Sequence, residues 1–150
     1  MKHAHCGTGK SIAWLRILML AGLVFLTVGV LRAHADAVFG NESLRGAYGV
    51  QSSGKVNGND LVSIGLILFY GRGGCTYVTT MNTDPGGVIG PISTTSCTYS
   101  VNTDGTGTLS LTLPILGSFD FSFVIAAHRQ EILGIPTLTG AIGTLVMKEQ

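Results

Sequence analysis

Residues 107–113 read Gly-Thr-Leu-Ser-Leu-Thr-Leu, and polar and apolar side chains alternate there without a break. Period two is the repeat of a β-strand, whose successive side chains point to opposite faces. Leu109, Leu111 and Leu113 therefore share one face, and Thr108, Ser110 and Thr112 the other. Such a strand is dry on one side and wet on the other. The pattern returns a few residues later, where Phe119, Phe121, Phe123 and Ile125 alternate with Asp120 and Ser122. Two one-sided strands cannot stand alone; their apolar faces need more strands to cover them.

The chain supplies those strands. β-like runs span residues 44–51, 61–70, 75–81, 95–101, 131–135 and 141–147, and no helical period of 3.6 appears after residue 36. Turn signals separate them: Asn57-Gly58-Asn59-Asp60, Gly71-Arg72-Gly73-Gly74, Asn102-Thr103-Asp104-Gly105, and a tight turn near His128-Arg129-Gln130. Asp84-Pro85-Gly86-Gly87 and Gly90-Pro91 mark a longer loop over 82–94. Eight short strands joined by short links predict an all-β fold, a small up-and-down antiparallel β-barrel, with a two-sheet sandwich as the alternative. Gly46, Gly49, Gly65 and Gly143 fall inside strands, as a strongly coiled sheet allows.

The first 37 residues differ in kind. Lys2, Lys10 and Arg16 precede an almost wholly apolar run over residues 17–31, and Ala33-His34-Ala35 and Ala37 follow it. A basic start, an apolar stretch and an A-x-A site make a secretory signal peptide. The expected organisation is a cleaved signal helix over 1–35, a flexible segment over 36–43, and a barrel domain over 44–150. The apolar run is short for a span of about 20 residues, so no stable membrane span is expected after cleavage. The mean hydropathy of +0.44 owes much to this leader.

Removal of the leader changes what the chain can do. Lys2, Lys10, Arg16 and Arg32 go, leaving five basic and eight acidic residues, a net charge near −3. That is no footprint for nucleic acid. Gly7-Thr8-Gly9-Lys10-Ser11, which looks like the end of a phosphate-binding loop, lies in the leader, ahead of the apolar run and without a preceding strand. His3, His5 and Cys6, which look like metal ligands, go too. Cys75 and Cys97 remain, an even pair expected to form one disulfide in an oxidising compartment. If their strands are antiparallel neighbours, both lie on one face with Tyr77, Thr79, Met81, Tyr99 and Val101.

Little in the mature segment points to catalysis. Its one histidine, His128, falls in a predicted hairpin turn, which favours a solvated residue over a triad or zinc ligand. Asp60, Asp84 and Asp104 sit in turns. Asp120 reads as the outward polar residue of an alternating strand, far from Glu131 on its neighbour, so no glycosidase pair is expected. One acidic residue in Asn102-Thr103-Asp104-Gly105 is too few for calcium. Asn41-Glu42-Ser43 fits the short N-glycosylation pattern and carries little weight. No catalytic residues, metal or cofactor are expected.

The opening strand Leu44-Arg45-Gly46-Ala47-Tyr48-Gly49-Val50 resembles that of lipocalin-like barrels, with Gly46 and Tyr48 standing for the Gly-x-Trp that plugs the closed end there. The chain is also similar to exported bacterial small β-barrel proteins of unknown function, of the lipocalin-like, calycin type. Those carry a Leu-x-Gly-x-Tyr strand and a later hairpin matched here by Tyr99, Val101, Asp104, Gly105 and Gly107. The resemblance spans most of residues 44–148 and implies a secreted or periplasmic barrel with a plugged end; it assigns no binding residues. The expectation is a non-enzymatic barrel that binds a small hydrophobic ligand or an envelope protein, with Tyr48, Tyr77, Tyr99 and Phe121 as candidate lining. An interaction module, such as a protease inhibitor using residues 36–43 and 82–94, is the alternative. A barrel-type cyclase using Asp120 or a tyrosine stands third.

Overall fold

The computed structural model describes residues 38–126 and 130–150; the leader expected over 1–35 and the turn holding His128 lie outside the described residues. A short 3-10 turn at Asn41–Ser43 precedes nine strands: β1 (Arg45–Val56), β2 (Asn59–Tyr70), β3 (Cys75–Asp84), β4 (Gly87–Ser93), β5 (Ser96–Val101), β6 (Thr106–Leu113), β7 (Gly117–Ala126), β8 (Glu131–Pro136) and β9 (Ala141–Glu149). They form one antiparallel sheet in the order β4-β3-β2-β1-β9-β8-β7-β6-β5. The fold is thus the all-β, up-and-down, barrel-like curl that the alternation predicts.

The strand count departs from the expected eight. Residues 82–94, expected as a long loop, instead extend β3 to Asp84, turn at Pro85-Gly86, and return as β4. β4 is an edge of the sheet, and Gly90-Pro91 falls at a β-bulge opposite Thr80. Proline is tolerated there because an edge or bulge needs no ladder bond from its missing N–H. Gly-Pro marks a bulge in this chain and not the end of a strand.

β4 and β5 are two halves of one bent run beside β3. Ser93 pairs with Val78, and after the break Thr98 bridges Gly74. Between these points the Thr94 N–H donates to the Tyr77 carbonyl (2.9 Å). Beyond the bridge the Tyr99 N–H donates to the Gly73 carbonyl (2.8 Å). β5 then takes β6 as its full partner. The two ends of the sheet therefore meet along part of their length, and the Cys75–Cys97 disulfide crosses the seam with a Cα–Cα separation of 5.0 Å.

Register follows from the turns. Asn57 and Gly58 both have positive φ (51° and 85°), the conformation of a two-residue hairpin turn whose twist matches the strands. That turn pairs Val56 with Asn59 and runs unbroken to Arg45 opposite Tyr70. β1 also pairs with β9, and the strands approach closely where Gly54 faces Gly143; a Cβ on either would run into the other strand's backbone.

One face of the curl is dry. Leu109, Leu111 and Leu113 are buried along β6, as their spacing requires. The disulfide face points inward: Cys75, Tyr77, Thr79 and Met81 on β3 and Cys97 and Tyr99 on β5 are all buried. Cross-strand ion pairs Lys55–Asp60 and Lys148–Glu131 decorate the solvent side, where such pairs contribute little. No helix among the described residues is long and apolar enough to cross a membrane.

The disulfide closes a loop across a sequence separation of 22 residues. Chain entropy of that size corresponds to roughly 3 kcal/mol. We expect a Cys75→Ser, Cys97→Ser double variant to unfold at lower urea by about that amount while keeping its far-ultraviolet β spectrum. An unchanged midpoint would show that the seam holds without the link.

Candidate functional site

The antiparallel order sorts the connections into two ends. Residues 38–44, the turns 71–74 and 102–105, and the C-terminus lie at one. The turns 57–58, 85–86, 114–116 and 137–140 lie at the other. The two ends are built differently, and that difference defines the candidate site.

The first end is sealed. Tyr48 and Phe69 pack edge to face at 5.4 Å between ring centroids, and Phe69 and Tyr99 at 4.9 Å. Tyr48 and Phe69 are each 1% exposed. Such pairs stabilise by about 0.5–1.5 kcal/mol beyond their burial. The Tyr99 hydroxyl is within hydrogen-bond reach of two carbonyls, those of Asn41 (2.9 Å) and Leu44 (3.0 Å). The Asn41 side-chain carbonyl accepts from the Val101 N–H (2.8 Å), and the Phe39 N–H donates to the Thr103 carbonyl (3.2 Å). The described part of the 36–43 segment is thus tied across the barrel end. Gly105, with φ of 84°, lies against the Phe39 ring; any side chain there would meet it.

Electrostatics agree with a dry plug. Burial pushes the Tyr48 phenol up, and the negative Glu149 and neighbouring Tyr99 push the same way. Asp104, by contrast, is held below the usual carboxylate range by hydrogen bonds from the Thr106 hydroxyl (2.7 Å) and N–H (3.0 Å). Its role is to close the 102–105 turn.

The second end is open. A narrow cavity of about 50 Å³ runs into the barrel there. Of its lining, Leu61, Phe119 and Phe121 are only partly buried, whereas Met81, Leu113 and Tyr77 are buried. A second cavity of about 50 Å³ adjoins it between β1, β9 and β8, sharing Ser52, Leu61, Phe119 and Phe121. Among the described residues the only polar side chains lining the first are those of Ser52, Ser63 and Tyr77, and none is charged. That volume admits a few waters or a slender apolar group, and no large ligand.

The four candidate lining residues therefore divide. Tyr77 and Phe121 line the cavity. Tyr48 and Tyr99 belong to the plug at the far end. Asp120 faces solvent, where its carboxylate accepts from the Ser110 hydroxyl (2.6 Å), so it cannot anchor anything inside the barrel. No group of three His, Cys, Asp or Glu side chains is placed to hold a metal among the described residues. Ser52 and Ser63, at 2.7 Å from each other across the β1–β2 ladder, escape sequence reasoning that places the first turn over 57–60. A two-residue turn at Asn57-Gly58 pairs residues equidistant from it, and would have set them side by side.

A Tyr99→Phe variant tests the plug. It leaves the Asn41 and Leu44 carbonyls short of a donor, at a cost of about 1–3 kcal/mol. Faster amide exchange at Val101 and Phe39 should accompany the loss, and unaltered exchange would contradict the strap. In the wild type, the Tyr48 contribution to stability should be level below the ordinary phenol pKa of about 10 and fall as pH rises past it. The unfolded state then releases a proton that folded Tyr48 retains. The fall should be smaller in Tyr48→Phe.

Comparison of the chain with protein-family models, with curated protein sequences and with solved structures gives no match in any of the three.

Proposed function

We propose that this protein is an exported, non-enzymatic binding barrel that takes the apolar part of a small ligand into its open end. The observation that carries the reading is the asymmetry of the interior. One end is filled by three aromatic rings packed edge to face and a hydrogen-bonded strap; the other keeps an apolar slot with no charged side chain among the described residues and partly exposed phenylalanines at its mouth. A barrel evolved only to be stable gains nothing from such a slot, because a void forfeits contacts on its lining. Among the described residues no paired titratable groups line the slot. Export draws on the basic-apolar-A-x-A order of residues 2–37 and on the disulfide, which suits an oxidising compartment such as the bacterial periplasm.

A second reading, docking to an envelope protein, is favoured by one specific observation. The outward side of β2 carries Val62, Ile64, Leu66, Leu68 and Tyr70, each between 43% and 67% exposed. Outward positions on an antiparallel sheet are ordinarily polar, so an unbroken apolar row is unusual. Val88, 72% exposed, places apolar surface on the β4 edge, within the 82–94 stretch expected to make contacts. Within the other stretch expected to make contacts, 36–43, Asn41 is tied to Val101 and Tyr99 at the sealed end.

Native mass spectrometry of protein taken from its own compartment tests the first reading. A bound small molecule is expected, and it should be lost from a Leu61→Trp variant that fills the mouth while the sheet survives. An empty wild-type barrel whose interior methyl resonances ignore added n-hexane would overturn it.

A further inference from the structure

We infer that the slot selects neutral ligands with one hydrogen-bonding group, such as a primary alcohol or ketone on a slender apolar chain, over carboxylates. This rests on the interior being the ligand site, and adds to it the chemistry of the ligand's polar group. Three hydroxyls stand in the wall of an otherwise apolar cavity: Ser52, Ser63 and Tyr77.

Two of them leave hydrogen-bonding capacity unspent. Ser52 and Ser63 share one bond of 2.7 Å, which consumes one hydroxyl proton of the two. Neither serine makes another side-chain hydrogen bond among the described residues, so the second proton is available. The Tyr77 side chain is more decisive. Tyr77 is only 5% exposed, and its hydroxyl makes no hydrogen bond among the described residues. The Tyr77 ring lies against Gly65, whose missing side chain gives it room; a Cβ there would come within 2.7 Å of the ring's Cε2. Gly65 sits on the inward row of β2 between Ser63 and Ile67, so the ring leans along the cavity wall toward the serine pair. No fully buried polar side-chain atom among the described residues lacks a partner, so this unpartnered hydroxyl keeps some accessible surface, and beside the cavity it has a place for a partner to come from.

The ligand's charge follows from what the wall lacks. Among the described residues no Lys, Arg or His lines the cavity. Lys55, which belongs to the neighbouring cavity's rim, is engaged by Asp60 at the surface. A carboxylate drawn into the slot would lose its hydration and gain no counter-charge, and hydroxyl donors alone do not repay that cost. A hydroxyl or carbonyl loses far less and can meet both a donor and an acceptor. The cavity's volume of about 50 Å³ sets what goes in: the end of an unbranched alkyl chain enters while the rest stays at the mouth, and a fused ring system does not enter.

The test uses n-hexane, 1-hexanol and hexanoate, read by shifts of the Met81 and Met147 methyl groups, both of which line the cavity. Wild-type protein should bind hexane and 1-hexanol. At pH 7 hexanoate should bind about 100-fold more weakly than 1-hexanol or worse. Tyr77→Phe and Ser63→Ala should each weaken 1-hexanol about tenfold and leave hexane unchanged. Ser110→Ala, on the outer face, controls for folding. Hexanol affinity that ignores both interior variants, or hexanoate binding as well as hexanol, would overturn the selectivity while leaving an apolar site in place. Failure of both hexane and hexanol to bind the wild type would instead overturn the interior as a ligand site.

Discussion

Everything in this barrel depends on the seam where β5 is brought back against the start of β3. A nine-stranded antiparallel sheet has two edges, and here both edge strands belong to one stretch of chain, residues 87–101. The break at Thr94 and Thr95 lets the first half of that stretch pair with β3 and the second half with β6. The Gly74–Thr98 bridge and the Cys75–Cys97 link hold the halves to the same β3 neighbour. Without that return the sheet would expose a long edge and half its apolar face, which is a route to aggregation. With it, nine assigned strands behave as eight around a common interior.

The seam also explains why the two ends differ. Closure is tight where β3 begins, and there Phe69, Tyr99 and Tyr48 stack and the strap over Asn41 finds its partners. Toward the other end β4 follows β3 beyond the point where β6 turns into β7. The wall is less complete there, and Leu61, Phe119 and Phe121 stay partly wet. The apolar slot is a consequence of how the sheet is closed, with no loop or lid needed to form it.

Much of this was legible in the residues, for a physical reason. Alternation at 107–113 and 119–123 leaves only one way to face leucine and phenylalanine inward; the structure buries Leu109, Leu111, Leu113 and Phe123 that way and leaves Phe119 and Phe121 half-buried at the open end. The disulfide face, with Tyr77, Thr79 and Met81, follows from the same period of two. What was not legible depends on long-range geometry. Gly90-Pro91 reads as loop unless the strand is known to be an edge with a bulge. Tyr99 looks like cavity lining until the strap at 38–44 shows which end it fills, whereas the resemblance of the opening strand already pointed Tyr48 to a closed end as well as to the lining. Ser52 and Ser63 draw no notice in the sequence until the Asn57-Gly58 turn pairs them across the ladder. The apolar outer row of β2 masks its own facing, because both sides of that strand are hydrophobic.

The central claim is that one interior holds a dry plug and an accessible apolar slot. A crystal structure under xenon pressure tests it directly, since xenon occupies apolar cavities that water leaves empty. Xenon should appear among Met81, Leu113 and Phe121 and be absent around Tyr48, Phe69 and Tyr99. Xenon at the aromatic end, or none anywhere within the barrel, would contradict the account.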